Sequence, residues 1–476
     1  MSQLTIFLMF GLALVITIIR GPGMAFAIVY LPSLILLNQL PDIPVAHAPF
    51  NAFYGPIYGI LLGIPFSGEK LRFRLCTVDV VVILLLLSAT ITSWTTEVFE
   101  TGVNTFRNEL MRWVGPYFLA RIVFRHIEVR KTALYSLIAI LAVVAFSALI
   151  EFRLAPYWYL HQLKNLGMGN YIHVEAYSRF GFFRVSGTVE HPIYFGNMCV
   201  AILGLVAVLA KTSGISLKNP WVATALFAAF GCVITSISFT PYIGAIAGTL
   251  ACLTLVGIPF SRKLILPLTL CIIAALFTFT LKTAYSELGE RPEDALGESL
   301  YIRRMIVIQS WRQAIKAGPF GFGKMMQVDE NEEFNLASVD NTYMQFTMTR
   351  GWVYTALWIS IGILMSIRST IGFSKITNQS QVLPLAVATS TVLGLMVAMY
   401  TVWGGAVYVI VWAVMLGLCN TLIDMIKESA AMPRALPVRP GMPQMFAPSM
   451  LTTSVPNINR APYRPLESSA PASRLT

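Results

Sequence analysis

Long apolar runs recur from one end of this chain to the other, and they constrain the fold more than any other feature. They lie near 4–19, 24–40, 49–65, 76–93, 110–124, 132–150, 192–210, 221–237, 241–258, 264–281, 352–367, 382–401 and 405–426. Most reach the ~17 residues that a helix needs to cross a bilayer core. Spanning strands would need about 10 residues in strict alternation, and these runs do not alternate. Backbone groups in lipid must satisfy one another, so the runs are expected to be helices. Only 12% of residues are charged, against about 25% in soluble domains. The expected fold is therefore an all-α polytopic membrane protein with about 12–13 transmembrane helices. Gly21-Pro22-Gly23 and the prolines between Pro41 and Pro49 interrupt the first three runs. If one of these is re-entrant, twelve cross. Leu4 to Ile19 lacks a basic start and a small-residue cleavage site, so it reads as a span rather than a signal peptide.

Net charge is +11. No basic face with interleaved aromatics accompanies it, so nucleic acid is not an expected partner. The basic residues instead mark alternate loops: Lys70, Arg72 and Arg74; Arg125, Arg130 and Lys131; Lys211 and Lys218; Arg262 and Lys263; Arg368 and Lys375; then Lys427, Arg434 and Arg439. Positive loops stay inside. This places the C-terminus in the cytoplasm and the chain in a bacterial inner membrane, with membrane lipids around it. The expected organisation is a membrane domain over 1–427 and a Pro/Ser/Ala-rich disordered tail over 428–476. Two long loops, about 151–190 and 282–351, fall on the opposite, periplasmic side. In the second, Tyr301, Met305, Ile308, Trp311 and Ile315 share one face of a helix, which Gly318-Pro319 ends.

Three polar groupings on that outer side could carry chemistry. Phe183-Arg184 through Glu190-His191-Pro192 puts a guanidinium, a carboxylate and an imidazole at the mouth of a span. Arg suits a diphosphate through its fork of donors, and Glu190 or His191 could take a proton from a hydroxyl. The plainer reading is a loop anchor, with Arg184 on lipid phosphate and Glu190 capping the helix. The second grouping is Arg303-Arg304 followed by Gly318-Pro319-Phe320-Gly321-Phe322-Gly323. No strand precedes these glycines and no Lys-Ser/Thr follows, so they read as a turn rather than a nucleotide cradle. The third is Asp340-Asn341-Thr342-Tyr343, then Arg350-Gly351, before the next span. Ser236-Ile237-Ser238 breaks two spans as a tight outer hairpin. Asp79, near Arg72 and Arg74, is either a costly intramembrane charge or an interfacial one. Arg107, Glu109 and Arg112 either extend a polar mouth or face water. The five histidines lack metal-site spacing, and the six cysteines form no CxxC pair. No metal or other cofactor is expected.

In order and spacing, the three groupings make the chain resemble the O-antigen ligase and Wzy-type polysaccharide (exopolysaccharide) polymerase superfamily over roughly residues 130 to 426. Arg184 matches that family's first arginine, Arg303 or Arg304 its loop position, and Asp340-Asn341-Thr342-Tyr343 with Gly351-Trp352 its His-Asn stretch. The resemblance implies a GT-C-like, inverting, metal-independent glycosyltransferase. Its donor would be an undecaprenyl-diphosphate-linked oligosaccharide, its product a growing polysaccharide, and export machinery a candidate partner. Arg184, His191, Glu190 and Asp340 would be catalytic; Arg303, Arg304, Asn341, Tyr343 and Arg350 would bind substrate. Two departures bear on the branch. The ligases carry Arg after the hairpin serine, where Phe239 follows Ser238, and His where Asp340 stands. Both fit a polymerase better than a ligase. A transporter or a non-catalytic scaffold are the alternatives from other classes.

Overall fold

The computed structural model describes residues 2–40, 43–45, 48–69, 73–96, 99–168, 178–179, 181–287, 295–323, 341–400 and 406–431. Among them, nine helices are long and apolar enough to cross a membrane. Eight are α1 (Ser2–Arg20), α2 (Thr77–Thr96), α4 (Ile127–Arg153), α5 (Pro192–Thr212), α7 (Phe239–Gly257), α8 (Ile265–Ala284), α10 (Thr342–Ser374) and α11 (Val382–Ala398). The ninth is α12 (Ala406–Ala431). Three shorter apolar helices, Pro22–Leu36, Tyr54–Phe66 and α6 (Pro220–Thr235), match three more of the expected runs. The chain is an all-α, multi-pass membrane protein. The run expected at 110–124 is the apolar half of a longer helical stretch. It starts at Phe99, passes a π-turn at Leu110–Val114 and ends as α3 (Gly115–Val123). α12 continues to Ala431, taking in the first four residues of the expected tail; the rest of that tail lies outside the described residues.

Burial separates centre from periphery. In α12, 89% of the apolar window is buried, against 11% in α8. Leu268, Leu270, Phe277 and Phe279 of α8 are exposed large hydrophobics, as a lipid-facing helix requires. α5, α11 and α12 form the middle, with Trp358 of α10 stacked on Trp412 of α12 at 5.0 Å.

α10 is broken at Gly351 (φ 86°, ψ 174°). A Cβ there would lie 2.1 Å from Pro319 O, so only glycine fits. The break frees backbone groups that must find partners. Phe322 N and Gly323 N donate to Met348 O (2.7 Å) and Thr349 O (3.1 Å). Trp352 N and Val353 N donate to Gly318 O and Pro319 O, both at 3.3 Å. The Gly-Pro-Phe-Gly-Phe-Gly turn therefore splints a broken helix. The remaining residues, 352–374, rise about 34 Å at 1.5 Å each, enough for the core alone. Residues 342–350 thus extend beyond that length, which places the break near one end of the span.

The amphipathic helix of the second loop is α9 (Ala295–Ala317). It packs on the bundle, with Trp311 against Phe277 (6.2 Å) and Trp352 (5.6 Å). Ile308, Trp311 and Ala314 are buried, but Ile315 is 52% exposed. The inward stripe is narrower than expected, because α9 meets neighbours on one side only.

The basic loops gather at one end of the bundle. Arg130 donates to Thr212 O, joining the start of α4 to the end of α5. Arg262 lies over Phe373 at 5.6 Å. Arg121 and Arg368 share Asp424.

Candidate functional site

The segment 182–191 is the last part of the connection from α4 to α5. The short hairpin Ser178–Arg179 with Phe182–Phe183 leads into it, and Phe152 of α4 stacks on Phe182 at 4.8 Å. On one side, Val185 N donates to Thr235 O at the end of α6 (3.1 Å). Arg184 then reaches the α6–α7 turn: Nη2 donates to Ser238 Oγ at 2.8 Å and Nε to Ser236 O at 3.5 Å. Ile237 between them has φ 41°, an unusual value for a β-branched residue and a local strain of about 1–3 kcal/mol. That turn holds Ser236 O and Ser238 Oγ where the guanidinium meets both.

On the other side stands Glu151, 1% exposed at the end of α4. Its carboxylate accepts from Ser186 N (3.2 Å), Gly187 N (2.9 Å) and Tyr159 N (3.3 Å). Gly187 has φ 56°, and a Cβ would strike the Phe195 ring at 2.3 Å. A buried carboxylate satisfied by backbone N–H groups clamps the loop from beneath. Glu151 is the residue sequence reasoning missed. Its signal was an acidic side chain just past an apolar run, opposite a loop with Ser-Gly. Arg153, over the Phe182 ring at 4.7 Å, was missed as well.

His191 is the N-cap of α5, its Nδ1 accepting from Ile193 N at 3.2 Å, with Pro192 in the first turn. The cap expected of Glu190 thus belongs to His191, and Glu190 is exposed. Burial, and then the Arg184 guanidinium, push the His191 imidazole down to about 4. A neutral ring whose Nδ1 lone pair is engaged carries its proton on Nε2. It offers a donor rather than a base. The hydroxyls of Ser186 and Thr188 and the amide of Asn197, all 0% exposed, have no hydrogen-bond partner among the described residues. Such groups are rare in native interiors and call for an explanation.

The first and third groupings approach each other through aromatics. His191 lies 5.3 Å from Tyr194, and Tyr194 stacks on Tyr408 at 6.3 Å. Tyr408 neighbours Thr342 and Tyr343. Asn341 Oδ1 caps α10 by accepting from Tyr343 N and Met344 N, and Tyr343 Oη donates to Met396 O at 2.8 Å. Both spend these atoms on structure. Asp340 lies outside the described residues.

The second grouping is placed elsewhere. Arg304 donates to Ser286 Oγ (3.0 Å) and Glu287 O (2.7 Å), fastening α9 to the end of α8. Arg303 is exposed. α9 packs on α8 and α10, whereas Arg184 is held by the α6–α7 turn. No bond among the described residues joins Arg184 to Arg303 or Arg304. Arg350 pairs with Glu109 at 3.0 Å, Glu109 accepts from Trp113 Nε1 at 2.6 Å, and Thr92 Oγ1 donates to Arg350 O at 3.1 Å. Arg350 and Glu109 thereby lock the α10 break against α2 and the 99–123 stretch. Among the described residues, no group of three or more His, Cys, Asp or Glu is placed to hold a metal ion.

No protein-family model matches this chain, and no curated protein sequence matches it. The resemblance to the ligase and polymerase superfamily rests on the three landmarks and their order.

Proposed function

We propose that this protein is an inner-membrane, GT-C-like glycosyltransferase that polymerises undecaprenyl-diphosphate-linked oligosaccharides into exopolysaccharide at its periplasmic face. One observation carries the reading. Arg184 is oriented at the outer end of α5 by Ser236 and Ser238, on a loop that Glu151 clamps from the other side. A fixed guanidinium at the membrane surface suits a lipid diphosphate. As the glycosidic bond breaks, charge grows on the leaving diphosphate, and a donor already in place stabilises that charge without reorganising.

In this scheme Arg184 holds the diphosphate. His191 donates from Nε2 to a phosphate or sugar oxygen. Asp340, next in sequence to the N-cap Asn341, takes the acceptor hydroxyl's proton, and Glu190, exposed beside His191, is the second candidate for that role. Arg303 is left to meet the glycan or a second phosphate. The position of the Gly351 break near one end of its span supports surface chemistry over a transporter, whose broken helices meet substrate near mid-membrane. The alternative within the class is a ligase that passes the lipid-linked glycan to another acceptor.

The test is incubation of purified protein with lipid-linked repeat units, followed by product-length analysis. A ladder of lengths is expected. Single transfer to a different acceptor would assign a ligase, and no transfer with any acceptor would refute both.

A further inference from the structure

At the opposite end of α4 and α5 from Arg184, a cavity of about 410 Å³ opens among the starts of α2 and the ends of α3, α10 and α12. Arg74, Arg121, Arg125, Arg368 and Lys427 line it, with Asp424 and Glu428. Most of the charge is internally matched. Arg121 pairs with Asp79 (2.9 Å) and Asp424 (2.7 Å), Arg368 pairs with Asp424 (2.6 Å), and Arg125 pairs with Glu428. Counting Asp79 behind Arg121, five cations face three carboxylates, which leaves two positive charges. They are Arg74 and Lys427: among the described residues neither has a carboxylate at ion-pair distance.

A second observation points the same way. Arg121 is 4% exposed, and its Nε has no hydrogen-bond partner among the described residues. A buried, ionised donor left unmade is costly, and here it belongs to a side chain that lines the cavity. Leu75, 63% exposed, and Phe73 stand at the same mouth, where an acyl or glycerol group could rest.

We propose that this cavity binds a phosphate group, carried either by an anionic lipid headgroup or by a small soluble phosphate. Two uncancelled cations, beside an arginine whose buried N–H is left over, suit a compact anion with several acceptor oxygens. The volume leaves room for a glycerol-sized substituent. The site does not depend on the glycosyltransferase reading, since it lies at the other end of the bundle and uses none of the same residues.

The test is thermal unfolding of the purified full-length protein titrated with phosphatidylglycerol, phosphatidylcholine or inorganic phosphate. Arg74→Gln/Lys427→Gln is compared with wild type, and Lys131→Gln, half-exposed near the start of α4 and paired with Glu128, is the control. Neither Arg74 nor Lys427 belongs to an ion pair among the described residues, so the double variant is expected to fold. Wild type and Lys131→Gln should show saturable stabilisation. Affinity should fall about fivefold for each charge removed in the double variant. Stabilisation by phosphatidylglycerol alone identifies a lipid headgroup; an equal effect of inorganic phosphate identifies a soluble phosphate. The proposal is overturned by no saturable shift with either, by an equal shift with phosphatidylcholine, or by an undiminished shift in the double variant.

Discussion

The two ends of the α4–α5 pair hold arginines in different ways. At one end, Arg121 and Arg368 are held by carboxylates: Asp79, fully buried, and Asp424, which bridges both. Asp79 also accepts from the Tyr117 hydroxyl and from Cys76 N. At the other end, Ser238 Oγ and Ser236 O orient Arg184, while the nearby buried carboxylate, Glu151, spends its oxygens on backbone N–H groups. Carboxylates hold a guanidinium by opposite charge; a hydroxyl and a carbonyl orient it through neutral dipoles. The first arrangement braces four helices. The second sets the direction of one arginine.

That contrast can be broken by mutation. Arg121→Ala should have the largest effect on folding. It strands Asp79 without its cation, a loss of about 3–5 kcal/mol for a broken buried pair, read as a lower unfolding midpoint in detergent. Arg184→Ala should stay within about 1 kcal/mol of wild type in the same assay. Equal destabilisation of the two would erase the distinction drawn here.

Glu151→Ala should be intermediate. It leaves backbone donors of the loop unpaired, at about 1–3 kcal/mol each when buried, and loosens the segment that carries Arg184. Turnover should fall while donor-lipid binding falls less. Unchanged turnover would remove Glu151 from the account.

His191→Asn should be mild, since Asn also caps helices well. It also isolates a pH effect. The imidazole is depressed to about 4 in the fold, against about 6.5 when unfolded. Between those values the unfolded chain binds the extra proton. The contribution of His191 is therefore complete above about pH 6.5 and lost as pH falls toward 4. His191→Asn should flatten that part of the stability–pH curve. Activity between pH 5 and 8 should show no titration of this ring; a rate rising with an apparent value near 6.5 would restore His191 as a base. Chelation by EDTA should change nothing, and a divalent-metal requirement would contradict the mechanism.

Periodicity and hydropathy carried most of the fold, because a bilayer leaves so few options for an apolar run. Prolines and glycines marked the breaks correctly, and Pro192 sits in a first turn as its chemistry suggests. Long-range pairing was not legible. Asp79 looked toward Arg72 and Arg74, its sequence neighbours; its cation is Arg121, 42 positions away, and the Arg74 carbonyl joins in by accepting from Arg121, while Arg72 lies outside the described residues. Arg350 read as a substrate ligand because it is polar and near the outer surface, but Glu109 occupies it from another helix. Gly351 read as the end of a loop, since the splint that lets α10 resume comes from residues 318–323. Arg184 was legible as a candidate from the sequence alone. Its supports, Ser238 and Glu151, lie 54 and 33 positions away in sequence and surface only once α4, α5, α6 and α7 are packed.

The central claim is that Arg184 stabilises a departing lipid diphosphate. The most direct measurement is the initial rate of glycan transfer from a lipid-linked repeat unit by purified wild type and Arg184→Ala, at matched unfolding temperatures. A loss of about 10²–10³ in rate is predicted, as for removal of one preorganised donor to a developing negative charge. A variant that folds like wild type and transfers glycan within a few-fold of its rate would contradict the claim.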